Sequence, residues 1–247
     1  MIAQSDIPST AELFTVYLAD VKESGSQSFY TFGEIDQSVV TASNQQISYT
    51  PIDNSQGFWM FSSESGTVNG KTIQLSGNKA IADTGTTLML VSDEFVSAVY
   101  AAIPGSKNDS SAGGWTIPSG NVDQRPVITV AIGNKQITIE KEQLGWSDLG
   151  DGSNMVFGAI QSRGTNPFDI LGDAFLVNVY AVRSSNLVLP DTLTNMTQIF
   201  DVGNTQFGVV QRPDSTSAGS TTTGTTTGTT GSTTGASGST TGTTPAS

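Results

Sequence analysis

The chain has 247 residues, a net charge of −12 and a sequence pI near 4.1, and it contains neither histidine nor cysteine. That balance argues against nucleic acid and anionic membranes as partners. The missing side chains exclude Ser–His–Asp and Cys–His catalysis, thiol chemistry, His- or Cys-ligated metals and any disulfide. No metal or cofactor is expected, and no apolar run reaches the roughly 18 residues a membrane-crossing helix needs. Met1–Pro8 has neither the basic region nor the apolar stretch of a signal peptide. Low Lys and Arg content limits positive self-repulsion in acid, which suits an acidic extracellular habitat.

Residues 213–247 are a different polymer: 22 of these 35 are Ser or Thr and 7 are Gly. Such a segment cannot offset its ordering entropy and reads as a disordered linker or stalk, with the Ser/Thr/Pro composition of O-glycosylated tracts. Residues 1–212 suffice for one sizeable domain. Their short runs of Val, Ile, Thr, Phe and Tyr between Gly/Ser/Asn/Asp turns predict a mostly-β fold.

In chain order, Phe14–Leu18 alternates with period two and predicts a strand, with Ser28–Asp36 as its hairpin partner. Ile47–Ile52 and Gly57–Phe61 predict further strands, and Asn69-Gly70 a hairpin turn. Ser92 is placed to cap a helix whose first turn holds Asp93 and Glu94. Phe95, Val96, Val99, Tyr100 and Ile103 form its apolar face, and Pro104-Gly105 should stop it. Val127–Ile132 and Gln136–Ile139 predict a hairpin; Met155–Gly158, Phe168–Asp173 and Phe200–Val210 complete the strand-like runs.

The stretch Ala80–Val91 differs in kind. An apolar run carries one acid, Asp83, and a Thr84-Gly85-Thr86 turn, then returns to an apolar run. A charge there is costly unless the backbone donates to it. The turn offers amide N–H groups, hydroxyls and a glycine that permits close approach. One carboxylate is therefore expected at a loop tip on a scaffold of strands.

Taken together, these residues resemble the second half of a pepsin-like aspartic protease (peptidase family A1), the secreted fungal members in particular. Phe14–Leu18 resembles the opening strand of the C-terminal lobe. Phe32-Gly33-Glu34-Ile35-Asp36 is similar to the F-G-G-I-D that follows, with Glu34 in place of a Gly. Gly57-Phe58-Trp59 resembles the aromatic strand, and Asp83-Thr84-Gly85-Thr86-Thr87-Leu88 the second active-site motif. Ile170-Leu171-Gly172 resembles the loop segment behind that motif, and Phe200-Asp201 with Asn204 and Gly208 the closing hairpin. The resemblance implies one lobe of a bilobal acid-protease β-barrel fold over residues 1–212, and peptide hydrolysis by two carboxylates sharing a proton and a water.

On that resemblance Asp83 is catalytic, supported by Thr84, Gly85, Thr86 and Thr87. Thr84 corresponds to the residue that locks the two active-site loops together, and Thr86 and Thr87 to positions that bond a substrate backbone. Asp173 matches an acid with a structural role. A second Asp-Thr-Gly and the flap are not found in the sequence, so the implied partners are a polypeptide substrate and an N-terminal lobe of the same fold. Asn108-Asp109-Ser110 and Asn195-Met196-Thr197 fit the N-glycosylation pattern.

Two departures suggest that this chain is not the mature natural product. Met1 stands where the resemblance places an interior residue. Between Val177–Ala181 and Ile199-Phe200-Asp201, which resemble one continuous strand, 17 residues intrude, 182–198. Deleting them restores Val-Tyr-Ala-Ile-Phe-Asp. Val182-Arg183 can be encoded as an intron donor, Leu193-Thr194 as a branch site, and Gln198 can end in AG. A retained in-frame intron is one reading and a surface-loop insertion the other. If translated, the segment should displace the strand or force a bulge.

Three functional readings follow: the C-terminal lobe of a secreted acid endopeptidase, inactive alone; a non-catalytic cell-surface or wall binding module on a stalk; and a homodimeric protease with one Asp per chain.

Overall fold

Short β-prone runs punctuated by turns give a mostly-β fold. The computed structural model describes residues 11–20, 25–187 and 205–212, all within one unit, Met1–Ser217. The proposed tail at 213–247, Met1, Asn195 and most of the 182–198 segment lie outside the described residues.

The first sheet runs in the order Phe29–Phe32, Ala11–Tyr17, Val179–Leu187, Gln206–Gln211, Ser48–Pro51. A second, the scaffold of the Asp83 motif, runs Ile160–Ser162, Met89–Val91, Asp169–Leu171, Lys79–Ala82, Phe61–Ser62. Two four-stranded sheets flank them, one containing the hairpin Ser65–Val68/Lys71–Gln74. The turn of that hairpin, Asn69-Gly70, has φ of 50° and 77°, the left-handed pair that a two-residue turn needs.

Ser92 caps the helix Asp93–Ala101 by accepting from the Phe95 amide at 3.4 Å. Its apolar face, Phe95, Val96, Val99 and Tyr100, is buried in the core between sheets. Tyr100 stacks on Trp115 with centroids 4.6 Å apart and donates its hydroxyl to the Ile160 carbonyl at 2.5 Å. The helix ends at Ala101, before Pro104-Gly105, because Ala102 and Ile103 already make tight-turn bonds to Val99 and Tyr100.

Three expectations need correction. The strand predicted over Ser28–Asp36 stops at Phe32, since Gly33 turns the chain at φ 78°. Asp36 then caps an unpredicted helix, Gln37–Ser43, accepting from the Ser38 amide. Gly57-Phe58-Trp59 is not a strand: Gly57 sits at φ 81° in a turn, and pairing begins only with the Asp53–Met60 bridge and Phe61–Ser62. Finally, Ile170-Leu171, which the resemblance gave as a loop segment, lies in a central strand within the strand-like run Phe168–Asp173.

That strand is held at its start by a buried network. Arg163 Nη1 contacts Asp169 Oδ1 at 2.6 Å and the Asn78 amide oxygen at 2.7 Å, and Asn78 donates to Asp169 Oδ2 at 2.7 Å. Burial pushes the Asp169 carboxyl above its ordinary value, opposed by these hydrogen bonds and the Arg163 charge. Removing the cation leaves a buried carboxylate without its counter-charge, held only by hydrogen bonds such as that from Asn78. Arg163→Met should therefore destabilise the domain by about 3 kcal/mol, read as a lower urea midpoint with unchanged m, and adding Asp169→Asn should recover part of the loss.

Candidate active site

Asp83 lies in the loop joining Lys79–Ala82 to Met89–Val91, strands consecutive in sequence but not adjacent in the sheet. Asp169–Leu171 is threaded between them, parallel to the first (Ile170 opposite Ile81) and antiparallel to the second (Ile170 opposite Leu90). The loop must cross over the end of the inserted strand. Four backbone bonds fix the crossing: Asp83 N–H to Leu171 O at 3.0 Å, Gly172 N–H to Leu88 O at 3.2 Å, Asp173 N–H to Thr86 O at 2.8 Å and Ala174 N–H to Thr87 O at 3.0 Å.

Gly172 is required by this closeness and not by its dihedrals. A Cβ there would sit 2.1 Å from the Thr86 carbonyl oxygen and 2.5 Å from that of Leu88, both backbone atoms that cannot move aside.

The Asp83 carboxylate is held on both oxygens. Oδ1 accepts the Gly85 amide at 3.0 Å and Oδ2 the Thr86 hydroxyl at 2.7 Å. No Lys or Arg among the described residues forms an ion pair with it. Thr84, Gly85 and Thr87 are exposed, while Asp83 and Thr86 are partly covered. Asp83, Thr84, Gly85, Thr86, Thr87, Ile170, Leu171 and Gly172 thus come together in one crossing. Asn108 is elsewhere, exposed on the edge strand Lys107–Asp109.

Sequence reasoning missed the surroundings. Asp83 and Thr84 border a cavity of about 220 Å³ walled by Phe14, Tyr30, Trp59, Phe207 and Arg183. Thr84 and Tyr30 also border a second cavity of about 450 Å³ with Asp173, Gln143 and Trp146. Tyr30 is 47% exposed. Only the alternation of Phe29–Phe32 could have signalled it. Asp173, at the start of the short helix Asp173–Leu176, is pushed above the ordinary carboxylate range by burial and then by the negative charge of Asp83.

This threaded crossing can be set beside known proteins. The profile described as "Eukaryotic aspartyl protease" matches residues 1–186. The chain belongs to that family. It is 39% identical over 156 residues to aspergillopepsin-1 of Aspergillus flavus, a match covering 63% of this chain and 37% of the relative. Penicillopepsin-2 of Penicillium janthinellum is also 39% identical, over 160 residues, covering 64% of this chain and 38% of that protein. The crystal structure of the aspartic proteinase from Irpex lacteus shares the fold with a TM-score of 0.64 at 21% identity, over 88% of this chain and 60% of the other. The chain thus matches under two fifths of the length of these curated relatives, and the fold is the pepsin-like one.

Three outcomes test the geometry of this aspartyl protease crossing. Gly172→Ala should cost about 3 kcal/mol by forcing the loop off the strand end, measured by denaturant unfolding. For Asp173, a raised folded-state pKa means that the native state holds the proton more tightly than the unfolded chain. Its contribution is then largest in acid and declines as pH climbs from the ordinary 3.8 through the raised value. A urea midpoint that falls over this interval should fall less in Asp173→Asn, and Asp83→Asn should lower the pH at which the Asp173 carboxyl titrates by NMR.

Proposed function

We propose that the chain is the C-terminal lobe of an acid endopeptidase and that Asp83 is one of its two catalytic carboxylates. The observation that carries this reading is the Asp83 carboxylate itself: exposed enough to reach, uncompensated by any cation among the described residues, and oriented by the Gly85 amide and the Thr86 hydroxyl. Such a group can exchange a proton with a bound water while its position stays fixed.

In the proposed reaction an ionised carboxylate takes a proton from water as the water attacks the peptide carbonyl. A second, protonated carboxylate polarises that carbonyl, and the proton then passes to the departing amine. Two close carboxylates cannot both ionise, so activity favours acid. The second acid and the flap come from an N-terminal lobe, in keeping with the share of the relatives that this chain leaves unmatched. Exposed Tyr30 and Phe32, at 47% and 49%, offer that lobe an apolar landing surface.

Within the site, Thr86 spends its hydroxyl proton on Asp83, which makes it a positioning residue. Thr87 and Thr84, both exposed, are left to meet the substrate backbone and the facing loop. The substrate is a polypeptide, the setting extracellular or at the cell surface, and Asn108 an accessible site for N-glycosylation.

The test is reconstitution. Mixed with an N-terminal lobe bearing an Asp-Thr-Gly motif and a flap, the chain should cleave denatured protein at about pH 3–5; alone it should be inert. Asp83→Asn should abolish the reconstituted activity by at least about 10³-fold. Cleavage by the chain alone, second order in chain and lost in the same variant, would establish a homodimer instead. Peptide binding without cleavage in the reconstituted pair would favour a binding module.

A further inference from the structure

The central strand Val179–Leu187 is apolar and buried as far as Val182 and turns polar at the two positions that follow. Val179, Tyr180, Ala181 and Val182 are each at most 3% exposed. The next residue, Arg183, lies opposite Phe14 on one neighbouring strand and Phe207 on the other. Its guanidinium is pressed 3.0 Å over the Trp59 ring and lies 5.6 Å from that of Phe14. Its Nε is buried without a hydrogen-bond partner, and burial pulls its pKa down to about 10. Ser184, opposite Leu13 and Gln206, also buries its hydroxyl without a partner. Register then slips: Leu13 pairs with Ser184 but Glu12 with Asn186, leaving Ser185 as a bulge. Two of these features are recognised costs: the guanidinium nitrogen and the hydroxyl that are buried without hydrogen-bond partners.

Further along, the sequence holds an apolar match for the first two of these positions. Ile199-Phe200-Asp201 follows Val182-Arg183-Ser184 at a spacing of 17 residues. Substituted register for register, Ile199 takes the place of Val182, and Phe200 takes that of Arg183 among Phe14, Trp59 and Phe207. Aromatic cross-strand partners are stabilising there. Asp201 then stands opposite Gln206, with Val202–Thr205 as a four-residue hairpin connection, whereas Ser184 and Gln206 are now separated by 21 residues. Hairpin loops of about 2–5 residues are the rule. The family match, moreover, ends at residue 186, inside the intervening segment.

We infer that residues 182–198 are a removable in-frame insert, and that the form lacking them places Ile199-Phe200-Asp201 in the central strand with Phe200 filling the pocket that borders Asp83. Retention of the segment exchanges that ring for the Arg183 cation and lengthens the closing connection of the sheet. The share of chains with the ring in that pocket is then set by how often the 17 codons are removed from the message. This inference does not depend on the proteolytic reading, because its tests read messages and unfolding.

Transcripts amplified across the region should mostly lack the 17 codons, and a predominance of mature messages that keep them overturns the inference. The full chain and the deletion chain, expressed side by side, should differ in thermal midpoint by about 4 °C or more in favour of the deletion. A deletion chain that melts lower, or does not fold cooperatively, also overturns it. In the full chain, Arg183→Phe isolates the pocket: it should raise the midpoint, and an unchanged or lower midpoint refutes the packing argument.

Discussion

The structure depends on one insertion: Asp169–Leu171 threaded between Lys79–Ala82 and Met89–Val91. Two strands that would otherwise pair directly are held apart, so their connection must pass over the end of the intruder. Four backbone hydrogen bonds tie that passage to the strand end and the turn after it. Asp83, Gly172, Asp173 and Ala174 donate to Leu171, Leu88, Thr86 and Thr87. A loop tied down at these points has few alternative conformations, which is how a partly covered acid can stay fixed without being fully buried. The same closeness leaves no room for a side chain at position 172.

The charges around the crossing follow a division by depth. The deep acid, Asp169, is matched by Arg163 and Asn78 and serves only to anchor the strand. The shallower acids, Asp83 and Asp173, have no cation among the described ion pairs, and Asp173 feels the negative charge of Asp83. Compensating them would blunt their ability to exchange protons, whereas leaving Asp169 uncompensated would cost the fold. Solvent access therefore separates the acid that anchors the strand from the two acids at the crossing.

How much of this was legible in the sequence varies with range. The Asp83 motif, the Asn69-Gly70 turn and the Ser92 cap are local, and each was readable because a few adjacent residues dictate one backbone conformation. The helix Gln37–Ser43 was hidden by Val39, Val40 and Thr41, whose β-branched side chains favour strands; Asp36 as its cap tipped the balance. Phe58 and Trp59 misled in the opposite direction, since aromatic residues read as strand while Gly57 turned the chain. The Asn78–Asp169 bond joins residues 91 positions apart, and no local pattern could reveal it. The walls of the cavities beside Asp83 were missed for the same reason, being assembled from Phe14, Tyr30, Arg183 and Phe207. The strand after Ala181 was suspect from sequence, and the unpartnered atoms of Arg183 and Ser184 give that suspicion a physical form.

The threaded strand also orders events in time. Residues 169–171 leave the ribosome some 80 residues after the strands they separate, so Lys79–Ala82 and Met89–Val91 emerge before the element that must lie between them. Pairings this distant in sequence carry a large loop-closure entropy and form slowly. Until they form, the loop bearing Asp83 has no strand end to rest on. In a growing polypeptide the acid is therefore among the last groups to acquire its geometry, after most of the lobe around it has been synthesised.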